Sequence, residues 1–448
     1  MRIPLLACLA ATVPLAAGAY TLRTTPTGIP LRAPDAANLQ FLVNQSTAAG
    51  MINADGNVEI TADSDPMSAL QAAAAVWNNL PTSTVSFLPL QTTAAVNDPT
   101  DNQHVIVFLD TPENRSVVGS ALAVTFFHVL TDGTITDSDV IFNPTATFST
   151  NLAPKTYDLQ SVAAHEMGHA LGANHSGLLA STMFQGVTLQ NNSPASLSAD
   201  DVAFASDTYP ASTAAASYGV ISGTVSLTTG EPVFGALVVA VDPAAGITVG
   251  GLSSLTDGTY SFKVPRGSYL LYAEPADGVV TPANLYLTND QVNTFFQTTF
   301  AGGLASPQMV DVTSGQAKVN LAVAVGAAPF NLQALGTGSV LGSGDFEIAA
   351  GPTVLTGAQA VDLVLYGPGL DSLGAQYDVR LLGPGLTVRP NSVHIDTNTS
   401  VLGSRLLRMT VDVTPQTSPV VASIIVVKNS VAAALSGALL ILPAAPTK

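Results

Sequence analysis

The chain has 448 residues, which is enough for about three domains of the usual size of about 150 residues. It carries 14 Lys and Arg residues against 31 Asp and Glu residues, a net charge of −17, so we expect no nucleic-acid partner. The mean hydropathy of +0.38 raises the question of a membrane protein. After the N-terminus, however, polar residues, Gly and Pro interrupt every apolar run before it reaches about 20 residues. The composition therefore predicts a globular protein rich in β-structure.

Residues 1–19 have the three parts of a secretory signal, namely a cation at Arg2, an apolar core and a small-x-small end. We expect cleavage after Ala19 and a secreted, extracellular protein, and the alternative is a buried first helix. Cys8 is the only cysteine of the sequence and leaves with this segment. The mature chain is then expected to have no disulfide and to be held together by core burial alone.

Residues 20–210 mix predicted strands with predicted helices. Apolar runs predict strands at residues 39–43, 85–88, 104–109, 121–129 and 134–142. Helices are predicted at residues 67–79, behind acidic residues and a proline, at residues 158–171, and directly after Ser198. This order of elements predicts an α+β or α/β domain.

The sequence after residue 210 predicts strands only. Residues 211–218 are predicted to be a linker, because their small side chains offer nothing to bury. The strands that follow are separated by Gly, Pro and Asp turns and predict one β-sandwich at residues 219–327 and a second at residues 328–448. The last apolar run, residues 431–446, is too short and too interrupted for a membrane anchor and predicts a core strand.

The stretch from His165 to His175 has the pattern of a catalytic metal site. His165 and His169 lie one helical turn apart and can share a cation, while Glu166 can reach a metal-bound water without being a ligand. Gly172 permits the left-handed turn that ends the helix and brings His175 back as a third nitrogen ligand. Three protein nitrogens leave a fourth position for water, as in catalytic zinc sites. Histidine is scarce, at 6 in the chain, which makes this grouping a strong signal.

This run resembles the HExxHxxGxxH signature of metzincin zinc endopeptidases, and its surroundings resemble the matrixin branch, peptidase M10 type. Met183 follows His175 by eight residues, where the family has a methionine in a tight turn beneath the metal. Residues 197–209 resemble the closing helix of matrixin catalytic domains. The resemblance covers about residues 35–210. It implies one catalytic Zn²⁺ and an α+β zincin (metzincin) catalytic domain, followed here by two all-β sandwich domains.

The resemblance also implies roles for individual residues. The zinc ligands are His165, His169 and His175, and Glu166 is the general base that takes a proton from water and passes it to the leaving amine. In the family the substrate lies extended along an edge strand that borders the cleft. The matching residues here are Ala123, Val124 and Thr125.

Other metal sites are less well supported by the sequence. Animal matrixins bind a structural zinc through three histidines and an aspartate, and only His104 and His128 are left in this domain, so we expect no such site. Asp132, Asp137 and Asp139 can hold Ca²⁺, and the alternative is that they are turn and strand-edge residues. Neither a cysteine switch nor a folded prodomain is expected, so latency would need another device.

The two predicted sandwiches say little about function. Residues 219–327 resemble the carboxypeptidase-regulatory-like family in three motifs, at residues 221–225, 235–239 and 256–262. Residues 328–448 are expected to form an Ig-like sandwich. We interpret both as spacers or binding modules that present the protease.

Together these patterns predict a secreted, monomeric zinc endopeptidase with protein or peptide substrates. The alternative is an extracellular adhesion or binding protein whose sandwiches hold a cell-surface or matrix ligand and whose metal domain is vestigial or only self-processing. The intact Glu166 argues against a vestigial domain, because a decayed enzyme does not need that carboxylate.

Overall fold

The structure is a computed structural model that describes residues 21–338, 341, 346–356, 359–370, 376–401 and 404–443. The predicted signal, residues 1–19, lies outside the described residues. Three parts follow one another along the chain: the N-terminal unit (residues 21–217), the middle sheet pair (residues 218–323) and the C-terminal sheet pair (residues 334–442). Where the chain is described, it has no helix with the length and apolar character of a membrane span.

The N-terminal unit combines a mixed sheet with helices. Its strands are β1 (Phe41–Asn44), β2 (Gln91–Thr93), β3 (His104–Val107), β4 (Ala123–Val129), β5 (Ile135–Phe142), β6 (Phe148–Ser149) and β7 (Tyr157–Asp158). Its helices are α1 (Pro66–Asn78), α2 (Pro112–Val118), α3 (Leu159–Ala170), α4 (Ala199–Thr208) and α5 (Ala214–Ser217), with 3-10 turns at Ala36–Asn38 and Ser193–Ala195. The sheet order is β2-β1-β3-β5-β4, with β4 antiparallel to β5 and the other neighbours parallel. β4 is therefore an edge strand.

Local capping explains where the main helices begin. α1, α3 and α4 start after Asp65, Asp158 and Ser198, and each of these side chains accepts a hydrogen bond from a backbone N–H of the first turn. These three helices confirm the sequence prediction. The fully buried Trp77 of α1 donates its indole N–H to the Ala164 carbonyl at 3.0 Å and so fixes α1 against α3.

Two elements differ from the prediction. Residues 85–88 form no strand, and Phe87 makes only an isolated bridge to Leu39. The Asn78 side chain takes both the N–H and the carbonyl of Phe87, at 2.6 and 2.9 Å, so these groups are not available to a ladder of strand hydrogen bonds. The helix α2 was not predicted; it begins after Thr111, whose hydroxyl accepts from the Asn114 N–H.

The junction after the N-terminal unit is folded. The predicted linker, residues 211–218, contains the short helix α5. The first residue of this helix, Ala214, is buried. Arg266 of the middle sheet pair donates to the carbonyls of Ala216 at 2.9 Å and Ala215 at 3.3 Å. The prediction that this segment offers nothing to bury is wrong at Ala214 and Tyr218, which are buried, while residues 212–213 and 215–217 are exposed as expected of a linker.

The middle sheet pair consists of two β-sheets. Its strands are β8 (Tyr218–Leu227), β9 (Leu237–Asp242), β10 (Ile247–Leu252), β11 (Thr259–Pro265), β12 (Ser268–Glu274), β13 (Thr299–Phe300), β14 (Met309–Asp311), β15 (Gln316–Lys318) and β16 (Leu321–Val323), with a 3-10 turn at Pro282–Leu285. One sheet has the order β10-β9-β12-β13, with β14 also on β12; the other has the order β11-β8-β15, with β16 also on β8. One continuous hydrophobic cluster contains buried residues of both this sheet pair and the N-terminal unit.

The C-terminal sheet pair is also all-β. Its strands are β17 (Ala334–Gly338), β18 (Phe346–Ala349), β19 (Thr353–Thr356), β20 (Gln359–Tyr366), β21 (Asp378–Leu382), β22 (Leu386–Val388), β23 (His394–Val401), β24 (Ser404–Val413), β25 (Val420–Lys428) and β26 (Val431–Leu442). The sheet orders are β18-β17-β20-β24-β22, with β23 also on β24, and β19-β26-β25-β21. Ser436 on β26 accepts the Leu179 N–H at 3.0 Å and bonds the Tyr272 hydroxyl at 2.6 Å, so this unit contacts both others.

A buried carboxyl group in the N-terminal unit predicts a pH-dependent stability. Glu59 is 0% exposed, and among the described residues neither carboxyl oxygen has a hydrogen-bond partner. Burial, with a smaller effect from the charge of Asp110, raises the pKa of Glu59 to about 8. The folded state therefore keeps a proton that the unfolded state loses near pH 4.5, and this contribution to stability is lost as the pH rises through about 8.

We expect Glu59→Gln to match the wild type at pH 5 and to be more stable at pH 9 by roughly 3–5 kcal/mol, because the wild type must ionise a buried carboxyl between these pH values and the amide has no proton to lose. Urea unfolding of both proteins at the two pH values measures this difference. Glu113→Gln, on the exposed side of α2, is the matched control and should show no such divergence. Equal stability of wild type and Glu59→Gln at pH 9 would contradict a buried, protonated Glu59.

Candidate metal centre

The end of α3 turns the chain back toward its own helix. Gly172 N–H donates to the His169 carbonyl at 2.7 Å, and Ala173 N–H donates to the Gly168 carbonyl at 3.1 Å, which is the Schellman pattern. Gly172 has φ 92°, and a side chain there would overlap the Leu31 carbonyl. The predicted left-handed turn at this glycine is confirmed, and it redirects the chain toward His175.

The structure brings the three predicted ligands together. His165, His169 and His175 each offer a ring nitrogen within 4.8 Å of the others. The ring centroids of His165 and His169 are 4.6 Å apart. The His175 centroid lies 5.2 Å from that of His165 and 5.0 Å from that of His169. Within the described part of the chain, no other group of three His, Cys, Asp or Glu side chains comes this close.

The hydrogen bonds of the three imidazoles fit a metal site. Each Nδ1 atom faces a backbone carbonyl oxygen: His165 that of Thr182 at 2.8 Å, His169 that of Ala173 at 2.8 Å, and His175 that of Asn284 at 2.7 Å. Because a carbonyl only accepts, each Nδ1 must carry a hydrogen, and Nε2 is then the nitrogen with which the neutral ring can bind a metal. This is the tautomer in which histidine binds zinc, with the second nitrogen held by an outer partner.

Burial also keeps two of these rings, His169 and His175, in the neutral form. The pKa of His169 lies well below its usual range, mainly because the ring is buried and then because His165 is adjacent. The pKa of His175 is lowered to about 3 by the same two causes in the same order. At neutral pH both rings are therefore uncharged and ready to donate a lone pair.

Glu166 lies beside the histidines and is fixed at one of its two oxygens. It lines, with the three histidines, a cavity of about 150 Å³. Thr125 Oγ1 lies 2.6 Å from Glu166 Oε2 and donates to it. Burial raises the pKa of Glu166, and the neighbouring His165 and the Thr125 hydroxyl oppose this rise. The carboxylate can thus take up a proton at the cavity wall.

Met183 lies beneath α3, as the sequence predicts. It is buried, and its sulfur occupies the space that a side chain on Gly168 would need. The Ser176 N–H donates to the Met183 carbonyl at 2.7 Å, which closes the loop between the third histidine and this turn. A glycine on α3 is therefore required where the methionine approaches.

The buried Asp201 holds this methionine turn and was missed by sequence analysis. Its carboxylate accepts from Thr182 N–H at 2.8 Å, Met183 N–H at 3.1 Å, Ser181 Oγ at 2.5 Å, Ser198 N–H at 2.8 Å and Ser198 Oγ at 2.7 Å. The sequence signal was the capping pattern Ser198-Ala-Asp-Asp201, which predicts the helix but not its partners 18 to 20 residues earlier.

The three residues assigned to substrate binding lie on the edge strand β4. Ala123, Val124 and Thr125 all line the cavity beside Glu166. Thr125 has a second contact that the sequence did not predict, because its side chain bonds Glu166.

The acidic residues suggested for Ca²⁺ do not converge. Asp137 and Asp139 are buried on β5 and accept the N–H groups of Asn102 and Val105, both at 2.9 Å. Asp132 is exposed in the turn before β5. In the described ranges these three carboxylates do not form a group close enough to share one ion.

Three further residues reach the site from distant parts of the chain. Asn284 supplies the carbonyl to His175, and the Tyr286 ring stacks on the His175 ring at a centroid distance of 4.6 Å. The Arg23 guanidinium lies 3.9 Å from the centroid of the Tyr286 ring and lines the same cavity. Sequence analysis missed all three, because none belongs to a recognisable motif.

Comparison with known proteins gives one informative match. Residues 57–210 match the model of the matrixin family, Peptidase_M10. No curated protein matches the chain. Among solved structures, BcpA, the major pilin subunit of Bacillus cereus, aligns at 11% identity over 50% of this chain and 69% of its own, with a TM-score of 0.16. The RrgB pilus protein from Streptococcus pneumoniae aligns at 10% identity over 47% of this chain and 48% of its own, with a TM-score of 0.15.

Similarity at those TM-scores is too low to indicate a shared fold. The matrixin match covers only about a third of the chain, but it contains the three-histidine cluster, Glu166 and the methionine turn. Residues 57–210 are therefore similar to a metallopeptidase domain of the matrixin family.

Proposed function

We propose that the chain is a secreted zinc-dependent endopeptidase that hydrolyses peptide bonds of extracellular proteins. In this proposal residues 21–210 form an α+β zincin-type catalytic domain, and the two sheet pairs are β-sandwiches. The observation that carries it is the convergence of three imidazoles, each with Nδ1 on a backbone carbonyl, in one cavity with Glu166. The signal-like residues 1–19 support secretion.

His165, His169 and His175 would hold the zinc, which as a Lewis acid supplies charge stabilisation and lowers the pKa of water at the site to about 7. Glu166 then takes the proton of the attacking water. Thr125 occupies Oε2, so Oε1 is the oxygen open to this proton. As the new C–O bond forms and the C–N bond breaks, Glu166 returns the proton to the departing amine, so the carboxylate ends as it began.

The lining of the cavity beside Glu166 indicates which substrate side chain it can accept. Apolar side chains line it, namely Leu122, Val124, Val162, Val187 and Pro194. An extended peptide paired with the edge of β4 would place one side chain in this cavity. We therefore propose that an apolar residue next to the scissile bond is preferred, because its burial is favourable.

Metal removal tests the proposal. We expect the chain from Tyr20 to cleave casein. A zinc chelator should abolish this cleavage, and zinc added after dialysis should restore it. Restoring calcium instead is the control and should not rescue cleavage. Cleavage that persists in the chelator would contradict a zinc mechanism, and a zinc-loaded chain that leaves casein and a mixed set of unfolded peptides intact would contradict an endopeptidase.

A further inference from the structure

A loop of the middle sheet pair covers one side of the histidine cluster. It runs from Thr281 to Leu287 and contains the 3-10 turn Pro282–Leu285. The Asn284 side chain accepts from both the Thr281 N–H and the Thr281 hydroxyl at 2.7 Å, which fixes the turn. Tyr286 follows in the left-handed conformation, with φ 56° and ψ 33°. This backbone geometry brings the Asn284 carbonyl and the Tyr286 ring to the same imidazole.

That imidazole is His175. Its Nδ1 lies 2.7 Å from the Asn284 carbonyl, and its ring stacks on Tyr286 at 4.6 Å with an interplanar angle of 26°. The neighbouring Asn174 donates its side-chain N–H to the Leu285 carbonyl at 3.0 Å in a buried hydrogen bond. One ring nitrogen and one ring face of His175 are therefore held by the loop. The Tyr286 hydroxyl also lies 3.4 Å from Nε2, the nitrogen that would bind the metal.

The Nδ1 partners of the other two histidines do not come from this unit, although the edge of the Tyr286 ring also approaches His169, at a centroid distance of 6.4 Å. The carbonyls that hold their Nδ1 atoms belong to Thr182 and Ala173, within the N-terminal unit itself. His175 is the exception, since its partner lies 109 residues further along the chain. Of the three ligands, it is the one whose orientation requires a second folded unit.

The chain next to His175 is docked on the middle sheet pair as well. The Leu178 side chain packs against Gly250 on β10. The Gly250 N–H donates to the buried Asp200 at 2.9 Å, and Asp200 in turn accepts from the Ser176 hydroxyl at 2.7 Å. The loop that carries the third histidine is thus fixed at both of its sides by contacts with the same unit.

We propose that the middle sheet pair completes the metal centre, with Asn284 and Tyr286 as positioning residues that hold His175 in its ligating orientation. The sheet pair is in this view part of the site and not a spacer, and tight zinc binding requires it to be docked. This inference rests on the zinc site of the proposed function. Outer partners of metal-binding histidines typically contribute about 10–100-fold to metal affinity, which sets the expected size of the effect.

The test is the zinc dissociation constant of full-chain variants, measured by competition with a chromogenic chelator. We expect Tyr286→Ala to raise Kd about 10–100-fold. Tyr286→Phe keeps the stacked ring and should restore Kd to within about threefold of the wild type. Asn284→Ala removes the acceptor that fixes the turn and should weaken zinc binding in the same direction. Phe295→Ala, at a 61% exposed aromatic residue of the same unit, is the control and should bind zinc as the wild type does.

Two further readouts separate positioning from folding. Tyr286 is 51% exposed, so the urea midpoint of zinc-free Tyr286→Ala should equal that of the wild type. The visible spectrum of the cobalt-loaded protein should change in Tyr286→Ala and not in Tyr286→Phe. A wild-type Kd in both Tyr286→Ala and Asn284→Ala would overturn the inference, as would a Tyr286→Phe variant that binds as weakly as Tyr286→Ala.

The measurement does not require proteolysis. If the wild type binds zinc but cleaves no protein, and Tyr286→Ala binds zinc weakly, the endopeptidase proposal fails and the positioning role stands. If the wild type cleaves casein, and Tyr286→Ala and Asn284→Ala both bind zinc as tightly as the wild type, the positioning role fails and the endopeptidase proposal stands.

Discussion

Replacing Glu166 with glutamine is expected to lower the rate of casein hydrolysis about 10²–10⁴-fold, the usual contribution of a general base. Glutamine has the shape of glutamate and can still accept the Thr125 hydroxyl, so the cavity wall is kept. It cannot take a proton from water. Because Glu166 is not one of the converging ligands, the zinc content of the variant should equal that of the wild type.

Metal analysis and hydrolysis assays on the same preparation check both parts of this expectation. Glu113→Gln, at an exposed acidic residue of α2, makes the same chemical change away from the cavity and should leave the rate unchanged. A Glu166→Gln variant within threefold of the wild type would mean that another group accepts the proton. Loss of zinc from this variant would mean that the carboxylate supports the metal rather than the reaction.

Asp201→Ala is expected to have the largest effect on stability. The substitution leaves the N–H groups of Thr182 and Met183 and the Ser181 hydroxyl without their buried acceptor. Hydrogen bonds to a charged group contribute about 1.5–3 kcal/mol each and are not additive, so we expect a loss of about 3–5 kcal/mol. Zinc affinity should fall too, because the Thr182 carbonyl that holds His165 belongs to the same turn.

Urea unfolding and zinc titration of the variant measure these two losses. Asp207→Ala on the same helix is the matched control, because Asp207 is 38% exposed and forms only a surface ion pair with Lys263. Such pairs contribute at most about 1 kcal/mol. If Asp201→Ala and Asp207→Ala lose equal stability, the carboxylate does not hold the methionine turn. The stability of Asp201→Asn, which keeps one acceptor oxygen, should lie between those of Asp201→Ala and Asp207→Ala.

The sequence predicts those parts of the site that are encoded within a few residues. The spacing of His165 and His169 fixes their shared helix face, and Gly172 fixes the turn that follows them. The caps Asp158 and Ser198 are equally local, which explains why the helices α3 and α4 were found near their observed bounds. Helix spacing, a glycine turn and a capping residue all act within a few residues, so the sequence alone is sufficient to predict such elements.

The parts that were missed depend on contacts between distant segments. Asn284 acts through its backbone carbonyl, a group that every residue carries, so no residue type marks it in the sequence. Tyr286 meets His175 and Arg23 only because two folded units dock. The strand predicted at residues 85–88 is absent for a related reason, since the side chain of Asn78, on helix α1, bonds the backbone of Phe87.

The hydrogen bonds between Arg266 and α5 bear on whether an enzyme that cuts proteins would also cut itself. An endopeptidase of this design would require its substrate to be an extended strand laid along β4. The Ala-rich junction would be an obvious site for self-digestion if it were an open tether. It is instead a helical turn whose carbonyls are bonded to Arg266, and its first alanine is buried. To be cut there, by itself or by a neighbouring molecule, the protein would first have to open the junction, so the contact that joins its units would also protect such an enzyme from autolysis.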